Sequence, residues 1–252
     1  MRDKPVALVT GANKGIGLQI AKDLVARGFT VLVGSRNLEH GEAAAKSVGA
    51  DARAIQLDVT NQASIAAAAE RIRKEFGRLD VLVNNAGVSH AVKLKPDWTL
   101  DDAAKLGRAS VVPLDEVRTV FETNAFGVIA VTQAMLPLLR EAPAGRIVNV
   151  SSGTGSLTLN SDPAFPYRPI FGPSYSASKT ALNAITLAFA IELESTPIKV
   201  NAVDPGFTAT DLNNFAGTRT VEQAAREPVR LALLDANGPT GTFSNEDGPL
   251  PW

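Results

Sequence analysis

Tyr175 and Lys179, in Ser174-Tyr-Ser-Ala-Ser-Lys179, are the residues of this chain whose types and spacing point most directly to chemistry. They open a long apolar segment, and an i, i+4 spacing on a helix puts both side chains on one face. A phenol with a pKa of about 10 is a poor acid–base catalyst near neutrality, and lowering it by about three units needs roughly 4 kcal/mol. An ammonium fixed about 4 Å away, at an effective dielectric of about 20, supplies about that much. The pair therefore predicts a tyrosine proton donor whose pKa is tuned downward by its lysine.

A second constellation lies at the other end of the chain. Thr10-Gly-Ala-Asn-Lys-Gly-Ile-Gly17 follows the apolar run Val6-Ala-Leu-Val9 and opens a segment in which Ile16, Ile20 and Leu24 recur at helical spacing before Gly28. Strand, glycine turn and helix together make a phosphate cradle. Glycines let the backbone bend sharply and approach a ligand, and the helix N-terminus attracts an anion. The spacing Gly11-x3-Gly15-x-Gly17 differs from the Gly-x-Gly-x-x-Gly dinucleotide fingerprint.

The elements that must position these groups alternate along the chain. Strands are predicted at Val6–Val9, Thr30–Val33, Ala54–Leu57, Leu79–Val83, Arg146–Val150 and Ile198–Ala202. Helices are predicted near Leu38–Val48 and Gln62–Phe76, the second capped by Thr60 or Asn61, with Ile65, Ala69, Ile72 and Phe76 on one face. This alternation implies an α/β fold, a doubly wound parallel sheet with helices on both faces and a ligand crevice at the carboxyl ends of the strands. Two stretches interrupt it: Ser89–Leu114, holding Pro96, Trp98, Asp101-Asp102 and Pro113, and Gly153–Pro173. Both follow strands, so both are expected at the crevice, where long loops are usually functional. Ala181–Leu193 and Phe126–Leu139 are apolar on nearly every side, which predicts burial all round.

Composition narrows the classes. The 252 residues suit one domain, residues 1–252, with 45% hydrophobic and 20% charged residues. A formal net charge of -1 gives no electrostatic reason to expect nucleic acid or an anionic membrane. There is no cysteine, which excludes disulfides, thiolate metal sites and cysteine nucleophiles, and no metal is expected. No apolar run is long enough for a membrane span or a signal peptide, so a cytoplasmic location is expected.

With these motifs in order, the chain resembles a short-chain dehydrogenase/reductase over essentially its full length. Thr10–Gly17 matches the family's Thr-Gly-x3-Gly-x-Gly cofactor turn, and Asn84-Asn85-Ala86-Gly87 its Asn-Asn-Ala-Gly element. Asn124 matches the helix asparagine, Ser152 the serine, Tyr175 and Lys179 the Tyr-x3-Lys pair, and Pro205-Gly206 with Thr208 and Thr210 the nicotinamide-side loop. Asn13-Lys14-Gly15-Ile16-Gly17 and a tail from Glu222 to Leu234 ending at Trp252 resemble the carbonyl reductase branch.

The resemblance implies a Rossmann-type fold and a reductase of ketones or aldehydes, reversible to alcohol oxidation, on a small-molecule substrate. It assigns Tyr175 as proton donor, Lys179 as its tuner and ribose ligand, and Ser152 as donor to the substrate oxygen. Asn124 is to hold a water beside Lys179, and Asp58 with Val59 is to face the adenine. Cofactor contacts are further expected from Gly11, Asn13, Lys14, Gly15, Ile16, Gly17, Asn85, Ala86, Gly87, Pro205, Gly206, Thr208 and Thr210. An epimerase or dehydratase, or a cofactor sensor that has lost catalysis, are the alternatives on this scaffold.

Two features refine the expectation. Ser152 and Tyr175 are 23 residues apart, more than is usual in the family and less than in animal carbonyl reductases, so substrate identity does not carry over. The two apolar helices form a dimer interface in many relatives, and an insertion covers them in monomeric ones, so the short insertion here tilts the expectation toward a homo-oligomer. The coenzyme follows from charge. An NAD-preferring site places a carboxylate at the end of the second strand. Here Val33-Gly-Ser-Arg36 ends it, with no acid before Glu39, and Arg36 with Lys14 offers donors suited to a 2′-phosphate, which predicts NADP(H).

Overall fold

A computed structural model of the protein describes residues 4–91 and 99–252. Pro96 and Trp98 lie outside the described residues. In chain order the elements are β1 (Val6–Val9), α1 (Gly15–Val25), β2 (Thr30–Ser35), α2 (Leu38–Val48), β3 (Ala52–Gln56), α3 (Gln62–Phe76) and β4 (Val81–Asn84). Then come α4 (Leu100–Leu106), α5 (Leu114–Phe121), a π-helical turn (Glu122–Phe126), α6 (Gly127–Arg140) and β5 (Arg146–Val150). The chain continues through α7 (Leu157–Ser161), α8 (Tyr175–Glu192), β6 (Lys199–Val203), α9 (Val221–Ala232), β7 (Phe243–Asn245) and β8 (Gly248–Pro249).

The strands form one sheet in the order β3-β2-β1-β4-β5-β6-β7-β8. All pairs are parallel except β7 with β8. The chain winds outward in both directions from β1 and β4, so the switch point lies between them and the crevice opens at their carboxyl ends. Within β1 the side chains divide by period two: Val6 and Leu8 enter one core, Ala7 and Val9 the other. The first core is completed by α3, α6 and α8 through Ile65, Ile72, Val131, Met135, Leu139 and Phe189. The second is completed by α1, α2 and α9 through Ile20, Leu24, Ala44, Ala45, Ala225 and Val229. Both faces of the central strands are therefore dry, which is why Val6–Val9 and Val81–Val83 read as unbroken apolar runs.

The helix ends follow local chemistry. Asn61, rather than Thr60, caps α3 by accepting from the Ser64 N–H at 2.9 Å, and Gly77 at φ +73° stops it. Asn37 caps α2 in the same way at the His40 N–H. The β7–β8 hairpin, too short to show periodicity, is an addition to the expected strands.

One expectation fails. The helices α6 and α8 are not buried all round: Phe126 beside α6 is 53% exposed, and Leu187 and Ile191 on α8 are 38% and 63% exposed. Their inner faces cover the sheet, while nothing described in this chain covers the outer stripe of Ala184, Leu187, Ala188 and Ile191. The two interrupting stretches meet instead at another place, where Gly172 packs so closely on the Gly107 carbonyl that no Cβ would fit. Among the described residues no helix is long and apolar enough to cross a membrane, and no cluster has the makings of a metal site.

Candidate active site

The glycine turn and the Asn-Asn-Ala-Gly element close on each other across the switch point. The Thr10 hydroxyl accepts from the N–H groups of Asn85 and Ala86 at 3.0 and 2.9 Å, and the Asn85 amide donates to the carbonyls of Thr10 and Gly11. Gly11 and Gly15 take φ +62° and +58°, and a Cβ on Gly11 would stand 2.9 Å from the Ala86 Cα. The Asn85 side chain is thus committed to shaping the turn. Lys14 precedes α1 and makes no side-chain cap, and the first turn carries no acid. The N-terminal N–H groups and dipole of α1 are left for an anion, as a dinucleotide pyrophosphate requires. Asn13 and Ile16 line the same turn, with Ile16 packed partly into the core.

Around this cradle the other expected cofactor residues take separate stations. Arg36 is exposed at the carboxyl end of β2. Lys14, also more than half exposed, pairs with Asp211 at 3.0 Å. The Asp58 carboxylate folds back onto Thr60, accepting from its N–H and hydroxyl at 3.0 and 2.7 Å. Val59 is buried in the core, with its carbonyl against Gly127. Gly206 has φ +74°, and the Thr208 hydroxyl is spent within its own loop, on the carbonyls of Pro205 and Gly206. Thr210 lies over α1, where a Cβ on Gly15 would meet its methyl at 3.6 Å.

The catalytic candidates come together at the ends of β5 and α8. Ser152 follows β5 and caps the tight turn Gly153–Gly155, its hydroxyl accepting from the Thr154 N–H at 3.2 Å and hydrogen-bonded to the Thr154 hydroxyl at 3.0 Å. Tyr175 opens α8. One turn later, the buried Lys179 donates to the Val150 carbonyl at 2.8 Å, with its ammonium 5.7 Å from the Tyr175 ring centroid. A Cβ on Gly87 would lie 3.6 Å from that ammonium. Asn124 sits in the π-helical turn, fully buried. Its amide donates to the Val88 carbonyl and the Ser178 hydroxyl at 2.8 and 2.9 Å, and its oxygen accepts from the Val88 N–H. Both side-chain donors are therefore used in tying α8 to the loop after β4, and any water beside Lys179 needs another donor than this amide.

Residues 5–220 match the short chain dehydrogenase family. The chain belongs to the short-chain dehydrogenase/reductase family. It is 36% identical to (-)-isopiperitenone reductase of Mentha piperita, covering 97% of both chains. It is 33% identical to carbonyl reductase [NADPH] 1 of Mus musculus, covering 99% of both. Among solved structures, salutaridine reductase of Papaver somniferum superposes with a TM-score of 0.80 at 30% identity, over 96% of this chain and 100% of that one.

In this short-chain dehydrogenase/reductase, burial overturns the expected direction of the tyrosine pKa. Desolvation pushes the Tyr175 phenol up to about 12, the Ser152 hydrogen bond opposes it, and the Asp204 charge adds to it. Lys179 does not reverse this, because its ammonium is turned onto the Val150 carbonyl and is itself pulled down to about 8 by burial. At neutral pH the phenol therefore carries its proton, the form that can protonate a carbonyl oxygen. The reverse reaction needs the tyrosinate.

Several residues of the site escape a motif reading. Ser151 donates to Asn183 at 2.6 Å, and Thr180 to the Gly155 carbonyl at 2.9 Å, locking α8 against the serine turn. Polar residues interrupting an apolar helix are the only trace of this in the sequence. Phe165, Tyr167 and Phe207 form a run of ring contacts at 5.7 and 5.9 Å, with the Phe165 ring edge 3.9 Å from where a Cβ on Gly153 would stand. The second interrupting stretch thus supplies an aromatic wall beside the serine. Asp204 also borders the site, its carboxylate close against Gly153, and Arg219 packs on Gly206.

Proposed function

We propose that this oxidoreductase is an NADPH-dependent carbonyl reductase, taking a ketone or aldehyde to the alcohol and running in reverse as an alcohol dehydrogenase. The observation that carries the reading is the convergence of Ser152, at the end of β5, with Tyr175 and the buried Lys179, at the start of α8, at the crevice end of the sheet. A bound nicotinamide cofactor supplies the hydride in reduction or takes it in oxidation. Tyr175 gives its proton to the carbonyl oxygen, Ser152 donates a hydrogen bond to that oxygen as charge develops, and Asn124 keeps α8 in place behind them. Lys179 holds the nicotinamide ribose, a role supported by its ammonium lying beside Gly87. The complete Ser–Tyr–Lys set favours catalysis over a silent cofactor sensor.

The cradle fits a dinucleotide: an uncapped helix start without acid for the pyrophosphate, and Arg36 at the ribose end of β2. Lys14 and Asp211 are 60% and 52% exposed, and such a pair is worth no more than about 1 kcal/mol, so a 2′-phosphate can draw Lys14 away from it. Charge-assisted bonds contribute about 1.5–3 kcal/mol each, which favours NADPH over NADH by at least tenfold. The aromatic wall suits apolar carbonyl substrates, and the uncovered stripe of α8 suits a homo-oligomer. A reductase drawing on NADPH fits the cytoplasm. Oxidation of NADPH and NADH with aldehydes, cyclic ketones, steroids and quinones tests the reading. No turnover with any of them, or equal use of the two coenzymes, goes against it.

A further inference from the structure

The chain between the Pro205-Gly206 turn and α9 folds back on itself. Thr218 and Arg219 donate their N–H groups to the Phe207 carbonyl at 2.9 and 3.0 Å, and the Ala209 N–H donates to the Arg219 carbonyl at 3.0 Å. Gly217 lies so close on Thr208 that a Cβ there would overlap the Thr208 carbonyl. Residues 207–219 are therefore a flap with a pinched neck, a compact surface loop whose ends meet. Its tip is stiffened from within. The Asn213 side chain accepts from the Thr210 N–H at 3.3 Å and donates to the Thr208 carbonyl at 2.9 Å, across the tight turn Asp211–Asn213. Asn214 and Phe215, at φ +51° and +62°, then bring the chain back toward the neck.

The tip touches both walls of the crevice. Asp211 meets Lys14 of the glycine turn, after β1, at 3.0 Å. Next in sequence, the Leu212 carbonyl accepts from the Ser89 hydroxyl at 2.8 Å, in the loop after β4. That loop also carries Gly87, which borders the Lys179 ammonium. The flap thus crosses the switch point from the phosphate cradle toward the catalytic lysine. Packing beneath it is sparse. A cavity of about 610 Å³ lies between the flap and α1, bordered by Leu18, Gln19, Phe215 and Arg219, and Phe215 is 64% exposed. A segment with so little buried apolar contact opens easily unless its tip is tied. The Lys14–Asp211 tie is solvent-exposed and screened by salt. The Ser89–Leu212 tie is neutral and partly buried, so salt does not weaken it.

We propose that Ser89 is a positioning residue: by holding Leu212 it latches the flap across the crevice, and so sets how fast a nicotinamide dinucleotide enters and leaves. The inference rests on the dinucleotide reading of the cradle and not on carbonyl reduction. Because the bond joins two parts of this chain, breaking it loosens the flap in the empty and the loaded protein alike. Entry and exit then quicken together, and affinity barely changes.

Stopped-flow fluorescence with NADPH reads both rates with no carbonyl present. Ser89→Ala should raise the association and dissociation rates about two- to tenfold, the factor that one hydrogen bond carries, with Kd held within about twofold. Hydrogen exchange across residues 207–219 of the nucleotide-free chain should quicken as well. Ser89→Thr, which keeps the hydroxyl, should restore wild-type behaviour in both measurements. Ser89→Val has the shape of threonine without the hydroxyl, and takes the place of Ser89→Ala if that variant does not fold. A folded variant lacking the hydroxyl whose two rates match wild type overturns the proposal. So does one whose dissociation alone quickens, with Kd rising in step, because Ser89 would then be a cofactor ligand. A wild type that binds neither NADPH nor NADH overturns the latch and the dinucleotide reading together. A chain that exchanges NADPH through this latch but reduces no carbonyl supports the proposal and removes the reductase reading instead.

Discussion

Lys179→Met should stabilise the fold while abolishing turnover, and the pH dependence of that gain tests the electrostatics of the site. Lys179 is 5% exposed, and burial lowers its pKa from 10.5 to about 8, which corresponds to about 3 kcal/mol spent on keeping the ammonium charged at neutral pH. Replacement by a methionine of similar length removes that cost. It also removes the 2.8 Å bond to the Val150 carbonyl, which gives back about 1–2 kcal/mol. The net expectation at neutral pH is a gain of about 1–2 kcal/mol, or roughly 2–8 °C in Tm for a domain of this size. Between about pH 8 and 10.5 the unfolded wild type holds a proton that the folded one does not, so wild-type stability rises with pH in that window. The penalty is complete below about 8 and absent above 10.5, so the advantage of Lys179→Met should shrink across the window and vanish or reverse above it. Urea unfolding followed by circular dichroism at pH 7 and through that window measures this. A variant less stable than wild type at pH 7 by the same amount at every pH would refute the reasoning, since it would show that Lys179 is well solvated or well paired.

Tyr175→Phe should lower kcat by about 10²–10⁴-fold with NADPH binding retained, because it removes the proton donor and leaves the α1 cradle intact; turnover within tenfold of wild type would exclude Tyr175 as the acid. Arg36→Asp should erode or invert the NADPH preference, read as the ratio of kcat/KM for the two coenzymes. Asp211→Ala frees Lys14 from its 3.0 Å partner and should tighten NADPH several-fold without tightening NADH, measurable by fluorescence titration. Light scattering at micromolar concentration should give a multiple of the 26.4 kDa chain mass, and Ile191→Lys on the exposed α8 stripe should return it to the monomer.

The elements that gather the site were legible because their signals are local. The all-apolar Val6–Val9 reads as a buried strand, the glycines at 11, 15 and 17 read as a turn into a helix, and Tyr175 and Lys179 share a face by helical geometry. Ser152 and Asn124 were candidates through the family resemblance alone. What packing decided lies between segments far apart in sequence. Lys14 finds Asp211, and Asn124 gives its amide to Val88 and Ser178. Asp204 meets Gly153 across two strands. The direction of the Tyr175 pKa belongs to this second group. Pairwise spacing gives the attraction of one lysine, but the desolvation that outweighs it is summed over every atom around the phenol, and only the tertiary structure sets that sum.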